Sequence, residues 1–578
     1  MPDGSPPSRA SWKKSASKTV QPTRKQLDIR DAESLDLLVI APAGCGKTEA
    51  LALRVQGLLQ RGAVAAPQKV LVTTFSNRAR DNIKERLRAY LPPLVMRDRI
   101  SVVNFHGLSA RLIRAHANVI GLSPELILPE SDWVSDQLRK RNTPWNEQGA
   151  IKNALSSTKR LPLDDAAVEA ELERIGVPVA LELEQLRKSE GRLTYDDLPR
   201  LAELVLGNDI VAELYATHFG AVVVDEFQDL TPQQLRLVNR IGYKRTTYGG
   251  DLAQGIYGFA GAQPQAVDEA IRNECSSVIE FSDSHRSSPA VLRVINALVP
   301  LTHGQTLTSA DPESWPSGGL AGSVAHQSAQ EEADWIVRIA KAILGRAPQQ
   351  RIGVLTRTAP RRRFIDDAFA STELPHYRWD DGVLDTDTAK LVKAMLASFD
   401  LNAYTRAESK TDFLRESVGF DAIAEVDIRK SMADALSWVQ DLLAGAVPPS
   451  EIRARIKVGD SSTLLNSPGV HLLSGHVGKG QQFDWAIVVG LEEDFIPFFL
   501  AQKPEEIAEE ARVLSVMISR ARHGVILSRA DSVPTNGGYP KRRHASRFLQ
   551  QIGTASPLDL GGIVEWFKQL DWVAVAKR

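Results

Sequence analysis

Cysteine is nearly absent from this chain of 578 residues: Cys45 and Cys275 are the only two. With no Cys-x-x-Cys pair, a disulfide framework and a cysteine-based zinc site are excluded, and a reducing compartment, the cytoplasm, is expected. An excess of either charge is also lacking. Lys and Arg number 70 against 71 Asp and Glu, a net −1, so no global field draws the chain to a polyanion and any such binding must come from local patches. No apolar run approaches the roughly 18 residues that cross a bilayer, so no helical membrane span is expected. Residues 1–20 have almost no large apolar side chains. Their Pro, Ser, Arg9, Lys13, Lys14 and Lys18 read as a disordered basic tail without the apolar centre of a signal peptide.

What is present is ordinary globular material, 43% hydrophobic and 24% charged. The length is too great for one core and suggests three to four domains. From Gln26 to about residue 285, short apolar runs alternate with helical patterns, the signature of a parallel sheet with crossover helices. Candidate strands are Leu37–Ile40, Val70–Thr73, Ser101–Val103, Ala221–Val224, Thr246–Tyr248 and Val278–Phe281. Ligands in such sheets sit beyond the carboxyl ends of the strands, where polar residues collect here.

The first strand breaks into Ala41-Pro-Ala-Gly-Cys-Gly-Lys-Thr48 and then a helix of good formers, the order of a phosphate-binding loop. Ala43, Gly44, Cys45 and Gly46 let successive N–H groups curl around phosphates at a helix N-terminus. Lys47 adds a mobile charge, and the Thr48 hydroxyl can hold Mg²⁺ beside Glu49. Asp225 and Glu226 follow the fourth strand. Asp225 suits a water-mediated Mg²⁺ contact, Glu226 the polarisation of an attacking water, and Gln254, after the fifth strand, a γ-phosphate sensor. ATP and Mg²⁺ are therefore the expected cofactors. Gln26, upstream of the first strand, is positioned to read an adenine edge.

Taken in order, these motifs resemble those of the UvrD/Rep/PcrA-type superfamily 1A DNA helicases. The matching stretches also include Thr74-Phe-Ser-Asn-Arg-Ala79, Phe105-His-Gly-Leu108, Thr194-Tyr-Asp-Asp-Leu198, Asp225-Glu-Phe-Gln-Asp229, Gly250-Asp251, Tyr257 with Phe259, His285-Arg286-Ser287, Arg357, His476 with Lys479-Gly480, Phe483, Glu510, Ser519-Arg520-Ala521 and Ser546-Arg-Phe-Leu549. The resemblance implies two RecA-like domains with ATP in the cleft between them. It also implies Arg286 and Arg520 at the γ-phosphate, and His285 and Gln482 near the nucleotide. Phe75, Asn77, His106, Tyr257, Phe259 and His476 would lie along single-stranded or tailed DNA, with 3′ to 5′ movement. Three positions depart from the family: His285 replaces its Tyr, Ala260 its Arg and Gln482 its Glu, changes that bear on base selectivity and coupling.

Two motor domains with insertions are the expected organisation. Residues 21–108 and 205–287 form the ATP-binding RecA-like domain, interrupted by a helical insertion at 109–204. Residues 288–370 and 462–553 form the second, with strands near Ile352–Leu355, Val470–Leu473, Trp485–Val489 and Val525–Leu527. A small helical insertion spans 371–461, and 554–578 is a C-terminal tail or helix. The basic runs Arg361-Arg-Arg363 and Lys541-Arg-Arg543 are candidate phosphate contacts that compete with solvated faces. A helicase-nuclease is disfavoured, because the chain ends soon after Ser546-Arg-Phe. The alternative is a nucleotide-gated DNA-sensing or partner-binding module, such as the helicase subunit of an anti-phage defence complex. A nuclease or other protein partner, and no membrane, is expected in either case.

Overall fold

The computed structural model of the chain describes residues 21–577 apart from 76, 124, 125, 127, 128, 130–132, 380–382, 385, 421–425, 459–465 and 536–537. The basic tail at 1–20 thus lies outside the described residues. Two compact units divide the chain. The first runs to Arg286 and takes in Val299–Ala310, and the second holds Ser287–Leu298 and Asp311–Arg578.

Six strands build the sheet of the first unit: β1 (Leu37–Ile40), β2 (Lys69–Thr74), β3 (Ile100–Asn104), β4 (Phe219–Asp225), β5 (Thr246–Gly250) and β6 (Val278–Glu280). Their order is β3-β2-β4-β5-β1-β6, and every pairing is parallel. Strands β1, β4 and β5 are buried along their whole length, as their unbroken apolar or small-residue runs require. Parallel pairing needs crossovers, supplied among others by the helices Lys47–Gln60, Asn77–Tyr90 and Pro232–Gly242. Alternation along the strands sorts side chains to two cores. Val70, Val72, Ala221 and Val223 meet Leu51, Val55, Ile83 and Leu87 on one face, while Leu71, Val222 and Val224 meet Leu112, Leu237 and Val238 on the other.

Between β3 and β4 the chain is helical, and the helices Trp133–Lys140, Trp145–Lys159, Asp165–Ile175 and Pro178–Ser189 bury a core of their own around Leu138, Leu155, Leu172 and Leu183. A buried ionic cluster anchors this layer. Lys159 Nζ lies 2.7 Å from Glu184 and 2.9 Å from Asp197, Arg187 Nη2 lies 2.6 Å from Glu184, and Arg200 Nη2 lies 2.8 Å from Asp197. Burial opposes a charged carboxylate at Asp197. The Lys159, Arg187 and Arg200 cations more than offset it and hold that carboxyl well below the usual range. Removing any one partner would leave a buried charge uncompensated.

The second unit repeats the plan with β7 (Leu320–His326), β8 (Arg351–Thr356), β9 (His376–Arg378), β10 (Gly469–Ser474), β11 (Phe483–Val489) and β12 (Ala521–Ala530), in the order β9-β10-β8-β11-β12-β7, again all parallel. Both sheets thus have the RecA-like α/β form. Strands β7 and β9 carry little signal in the sequence, because Leu-Ala-Gly-Ser-Val-Ala-His and His-Tyr-Arg contain no run of large apolar residues. Gly322 in β7 explains why so plain a strand is buried: a Cβ there would stand 2.6 Å from Ile563 Cδ1, and its absence lets the helix Leu560–Gln569 lie directly on the strand. Ile563, Phe567, Leu570 and Val575 accordingly join the core of this unit. Between β9 and β10, helices including Thr386–Ala397 and Val426–Ala444 enclose a separate core with Val392, Leu414, Met432 and Val439.

The run Arg361-Arg-Arg363 needs correction. Arg361 is fully buried, donating to Glu332 at 2.5 Å and to Glu492 at 2.8 Å, and Arg362 is buried against Asp366 at 2.8 Å. These two guanidiniums neutralise interior carboxylates and cannot meet phosphates at the surface. In the second run, Lys541 and Arg542 are exposed on the strand Pro540–Arg542, while Arg543 donates to Asp494.

Candidate nucleotide and nucleic-acid site

The phosphate loop joins the carboxyl end of β1 to the helix Lys47–Gln60. Gly44 and Gly46 have φ of 86° and 84°, the left-handed region that an L side chain rarely enters. Space excludes side chains as well: a Cβ on Gly44 would stand 2.5 Å from Arg286 Cβ, and one on Gly46 would stand 2.6 Å from Gln26 Nε2. The helix begins at Gly46 with no side-chain cap, leaving its first N–H groups to an outside acceptor. Cys45 N–H donates to Pro42 O, and burial, together with the Asp251 charge, pushes the Cys45 thiol up to about 12, so it remains a neutral filler.

Lys47 is almost enclosed, and its Nζ lies 2.5 Å from Asp225 Oδ1 and 2.6 Å from Glu226 Oε1. Burial opposes the ammonium charge, but the Asp225 and Glu226 carboxylates outweigh it and hold Lys47 above the usual lysine range. Glu226 has φ of 63°, unusual for a side chain other than glycine, and this left-handed residue at the end of β4 turns the chain into the short helix Phe227–Asp229.

Beyond Glu226 runs a chain of hydrogen bonds. Gln228 Nε2 donates to Glu226 Oε2 at 2.5 Å, Gln228 Oε1 accepts from Asp251 N at 3.0 Å, and Gln254 Nε2 donates to Asp251 Oδ2 at 2.9 Å. Burial raises the Asp251 carboxyl, which the donors Gln254 Nε2 and Ala253 N only partly offset. Gln228 and Asp251 had no assigned role from sequence. The signal was available in the motifs Asp225-Glu-Phe-Gln-Asp229 and Gly250-Asp251, but a buried Gln reads as packing until its two neighbours are known.

Gln26 is buried. Its Oε1 accepts from Thr23 N at 2.9 Å in a capping box, and its Nε2 donates to Gly46 O at 3.2 Å, tying its helix Arg24–Asp31 to the phosphate loop. That helix is held by Arg54, fully buried on Lys47–Gln60, which donates to Ala32 O at 2.5 Å, to Thr247 Oγ1 at 3.1 Å and to Ser34 O. Tyr90 OH and Arg86 hold the Glu49 carboxylate at the start of the same helix. Ala43 and Thr48 are half-buried on the loop. His285 N donates to Gly44 O at 3.0 Å, while its side chain is exposed. Arg286 packs its Cβ against the loop and sits in the first unit.

Arg520 and Gln482 belong to the second unit. The Arg520 guanidinium is buried there, donating to Val516 O at 2.8 Å and Ser519 Oγ at 2.6 Å, and so clamps its own backbone. Gln482 is exposed, and its carbonyl accepts from Arg351 at 2.8 Å. His476 lies in the turn after β10, its carbonyl accepting from Lys479 N at 3.2 Å.

Of the residues proposed for DNA, the structure gathers three on the first unit. Phe75, after β2, stacks on Tyr257 with ring centroids 4.9 Å apart, and Tyr257 lies 5.9 Å from Phe259, whose side chain is 73% exposed. Such exposure separates the platform from core packing. Burial, with the Asp229 and Glu226 charges nearby, pushes the Tyr257 phenol up to about 12. His106, after β3, meets Tyr195 edge-on at 5.7 Å, and burial lowers its pKa. Asn77 opens the helix Asn77–Tyr90, but its side chain lies outside the described residues.

Do these groups suit ATP and Mg²⁺? Among the described residues no cluster of three or more His, Cys, Asp or Glu forms a metal cage. The donor set, a Thr48 hydroxyl and an Asp225 carboxylate beside a glycine cradle, instead suits an ion that takes its other ligands from phosphate and water. The wider sequence agrees. Residues 23–274 match the UvrD/REP helicase N-terminal domain, and residues 450–532 match the UvrD-like helicase C-terminal domain. The chain belongs to the UvrD/Rep-type helicases. It is 28% identical to the ATP-dependent DNA helicase UvrD2 of Mycobacterium tuberculosis, over 90% of this chain and 80% of that one. Against the ATP-dependent DNA helicase PcrA of Staphylococcus aureus it is 23% identical, over 89% of this chain and 84% of that one. As a UvrD/Rep-type protein it is an ATP hydrolase. No helix among the described residues is long and apolar enough to cross a membrane.

Proposed function

We propose that this ATP-dependent DNA helicase moves 3′ to 5′ along single-stranded DNA and opens tailed duplexes as it advances. The observation that carries the reading is a continuous link inside the first unit. Lys47, Glu226, Gln228, Asp251 and Gln254 are joined by ion pairs and hydrogen bonds, and three residues past Gln254 the chain presents Tyr257, stacked on Phe75 and beside exposed Phe259. Groups suited to sense the γ-phosphate and groups suited to stack on bases thus share one short segment.

In this proposal Lys47 faces the β- and γ-phosphates, and Glu226, oriented by Gln228, accepts the proton of the attacking water. Thr48 and, through water, Asp225 would hold Mg²⁺, which when bound neutralises charge on the phosphate oxygens. Arg286, packed on Gly44, and Arg520 are proposed to stabilise the charge that develops during phosphoryl transfer. Phe75, Tyr257 and Phe259 grip bases without regard to sequence, with Asn77, His106 and His476 assigned to the same strand. A net charge of −1 gives little long-range attraction, so affinity rests on few phosphate contacts and weakens as salt rises.

Two DNA substrates test this, duplexes with a 3′ or a 5′ single-stranded tail, alongside ATP turnover with and without an unpaired oligonucleotide. Turnover stimulated by the oligonucleotide, with displacement from the 3′-tailed duplex, is expected. ATP binding that alters DNA affinity while neither duplex opens would instead establish the nucleotide-gated module. Long duplexes are expected to open poorly until a protein partner is added.

A further inference from the structure

At the opposite end of the first sheet from the nucleotide chemistry, the edge strand β3 borders a cavity of about 610 Å³. Its walls include Lys69, the first residue of β2, and Phe219, the first of β4, so it lies at the amino ends of strands whose carboxyl ends carry Phe75 and Asp225. Neither the phosphate loop nor the aromatic platform shares a residue with it.

Three features of this cavity point to one kind of ligand. First, β3 pairs with β2 on one side only, so among the described residues no strand lies beyond its outer N–H and C=O groups. Second, the walls are apolar at depth: Ile100 and Val102 of β3, with Tyr215 and Phe219. The lining residue Leu214 is 55% exposed, and Ile210, one helical turn earlier on Asp209–His218, is 81% exposed, extending the apolar stripe outward. Third, the rim is basic. Lys69, Lys84 and Arg111 reach it from β2 and from helices on the two faces of the sheet, with His218 beside them. No salt bridge engages Lys69, Lys84 or Arg111 among the described residues. Asp81 and Asp98, which feel the Lys84 and Lys69 charges, are paired with Arg80 and Arg97.

An open sheet edge, an apolar floor and a basic rim are the parts of a strand-addition site for an acidic peptide. We propose that an extended acidic segment of a protein partner docks along β3, seats an apolar side chain against Val102, Leu214 and Tyr215, and sets its carboxylates against Lys69, Lys84 and Arg111. Its backbone continues the sheet, which gives affinity, and the alternating acidic and apolar side chains give specificity. Nucleic acid fits less well. Tyr215 is half-buried and already engaged edge-on with His116 at 5.6 Å, and the apolar stripe has no counterpart in a phosphate backbone.

The test uses the full chain and a fluorescent peptide of about ten residues that alternates glutamate with valine or leucine, followed by anisotropy. Binding is expected to weaken as salt rises, and to fall about tenfold or more for Lys84→Glu combined with Arg111→Glu and for a peptide with glutamine in place of glutamate. Leu214→Asp, which leaves the rim intact, should weaken it similarly. Hydrogen exchange should slow on peptide addition at those alternate residues of β3 whose N–H groups face away from β2. DNA-stimulated ATP turnover by the double variant should stay within about twofold of the unaltered protein, showing that the unit is folded. Equal peptide binding by the double variant, or protection that misses β3, would overturn the proposal. Loss of oligonucleotide binding with peptide binding unchanged would reassign the rim to nucleic acid.

Discussion

Replacing Lys47 with Met removes one charge while keeping most of the side-chain volume, and its effects can be worked out from two contacts. At 2.5 and 2.6 Å from Asp225 and Glu226, each attraction is about 6 kcal/mol at an effective dielectric of about 20. Desolvating the three groups consumes much of this, so breaking the cluster should destabilise the first unit by about 3–5 kcal/mol near pH 8. The loss should depend on pH with a definite sign. Without the ammonium, two adjacent buried carboxylates share a site and one of them acquires a raised folded pKa. A group of that kind stabilises the fold below its unfolded pKa and loses that contribution as pH rises through the folded one. The gap between Lys47→Met and the unaltered protein should therefore narrow as pH falls from 8 toward 5. Hydrogen exchange along Lys47–Gln60 reads this local stability without assuming that the two units unfold together. ATP turnover should fall by about 10³-fold or more, because the charge facing the transferred phosphoryl group is gone. Turnover within about tenfold of normal would refute the assignment of the loop, and exchange unchanged at pH 8 would refute the energetic account of the cluster.

Phe259→Ala should cost about 1–3 kcal/mol of single-strand affinity and blunt the stimulation of ATP turnover by DNA, read by titrating an unpaired oligonucleotide. Arg54→Met leaves the Ser34 carbonyl without its donor and Ala32 O with Arg61 alone, and should loosen the helix that carries Gln26. KM for ATP should rise about tenfold with kcat little changed, and an unchanged KM would detach Gln26 from nucleotide binding. His471 is fully buried among Tyr377, Trp379 and Phe483, and burial lowers its pKa to about 4. The unfolded chain takes up this proton near pH 6.5 and the folded one does not. The second unit should therefore lose up to about 3 kcal/mol between pH 6.5 and 4, and His471→Leu should flatten that slope in a denaturation series.

Much of the site was legible because its chemistry imposes residue types at fixed places along strands. Leu37–Ile40 is a strand because four apolar residues fill a doubly covered position, and the turn after it must be built of small residues to approach phosphate. The elements that escaped lack that signature. β7 is buried through the absence of a side chain at Gly322, with its partner helix more than two hundred residues away in sequence. Arg361 looks like part of a surface patch, since nothing local reveals Glu332 or Glu492 as its partners, whereas Arg362 had Asp366 one helical turn on as a readable partner. Arg520 carries a family motif, yet its bonds to Val516 and Ser519 depend on how its own turn closes.

Gln228 touches no substrate in the proposed chemistry, yet its identity is tightly prescribed. Glu226 needs a donor and the Asp251 N–H needs an acceptor, and a primary amide offers one of each on a single planar group. Glutamate would set anion against anion, lysine has nothing to accept with, and leucine would remove the donor to Glu226 Oε2 and the acceptor of the Asp251 N–H together. Shortening to asparagine retracts both ends together. The amide therefore acts as a polarity adaptor between β4 and β5, just past the point where their backbone pairing stops at Asp225 and Gly249. A chemist redesigning the pocket would have more freedom among residues that face the nucleotide than at this one, which only faces other protein.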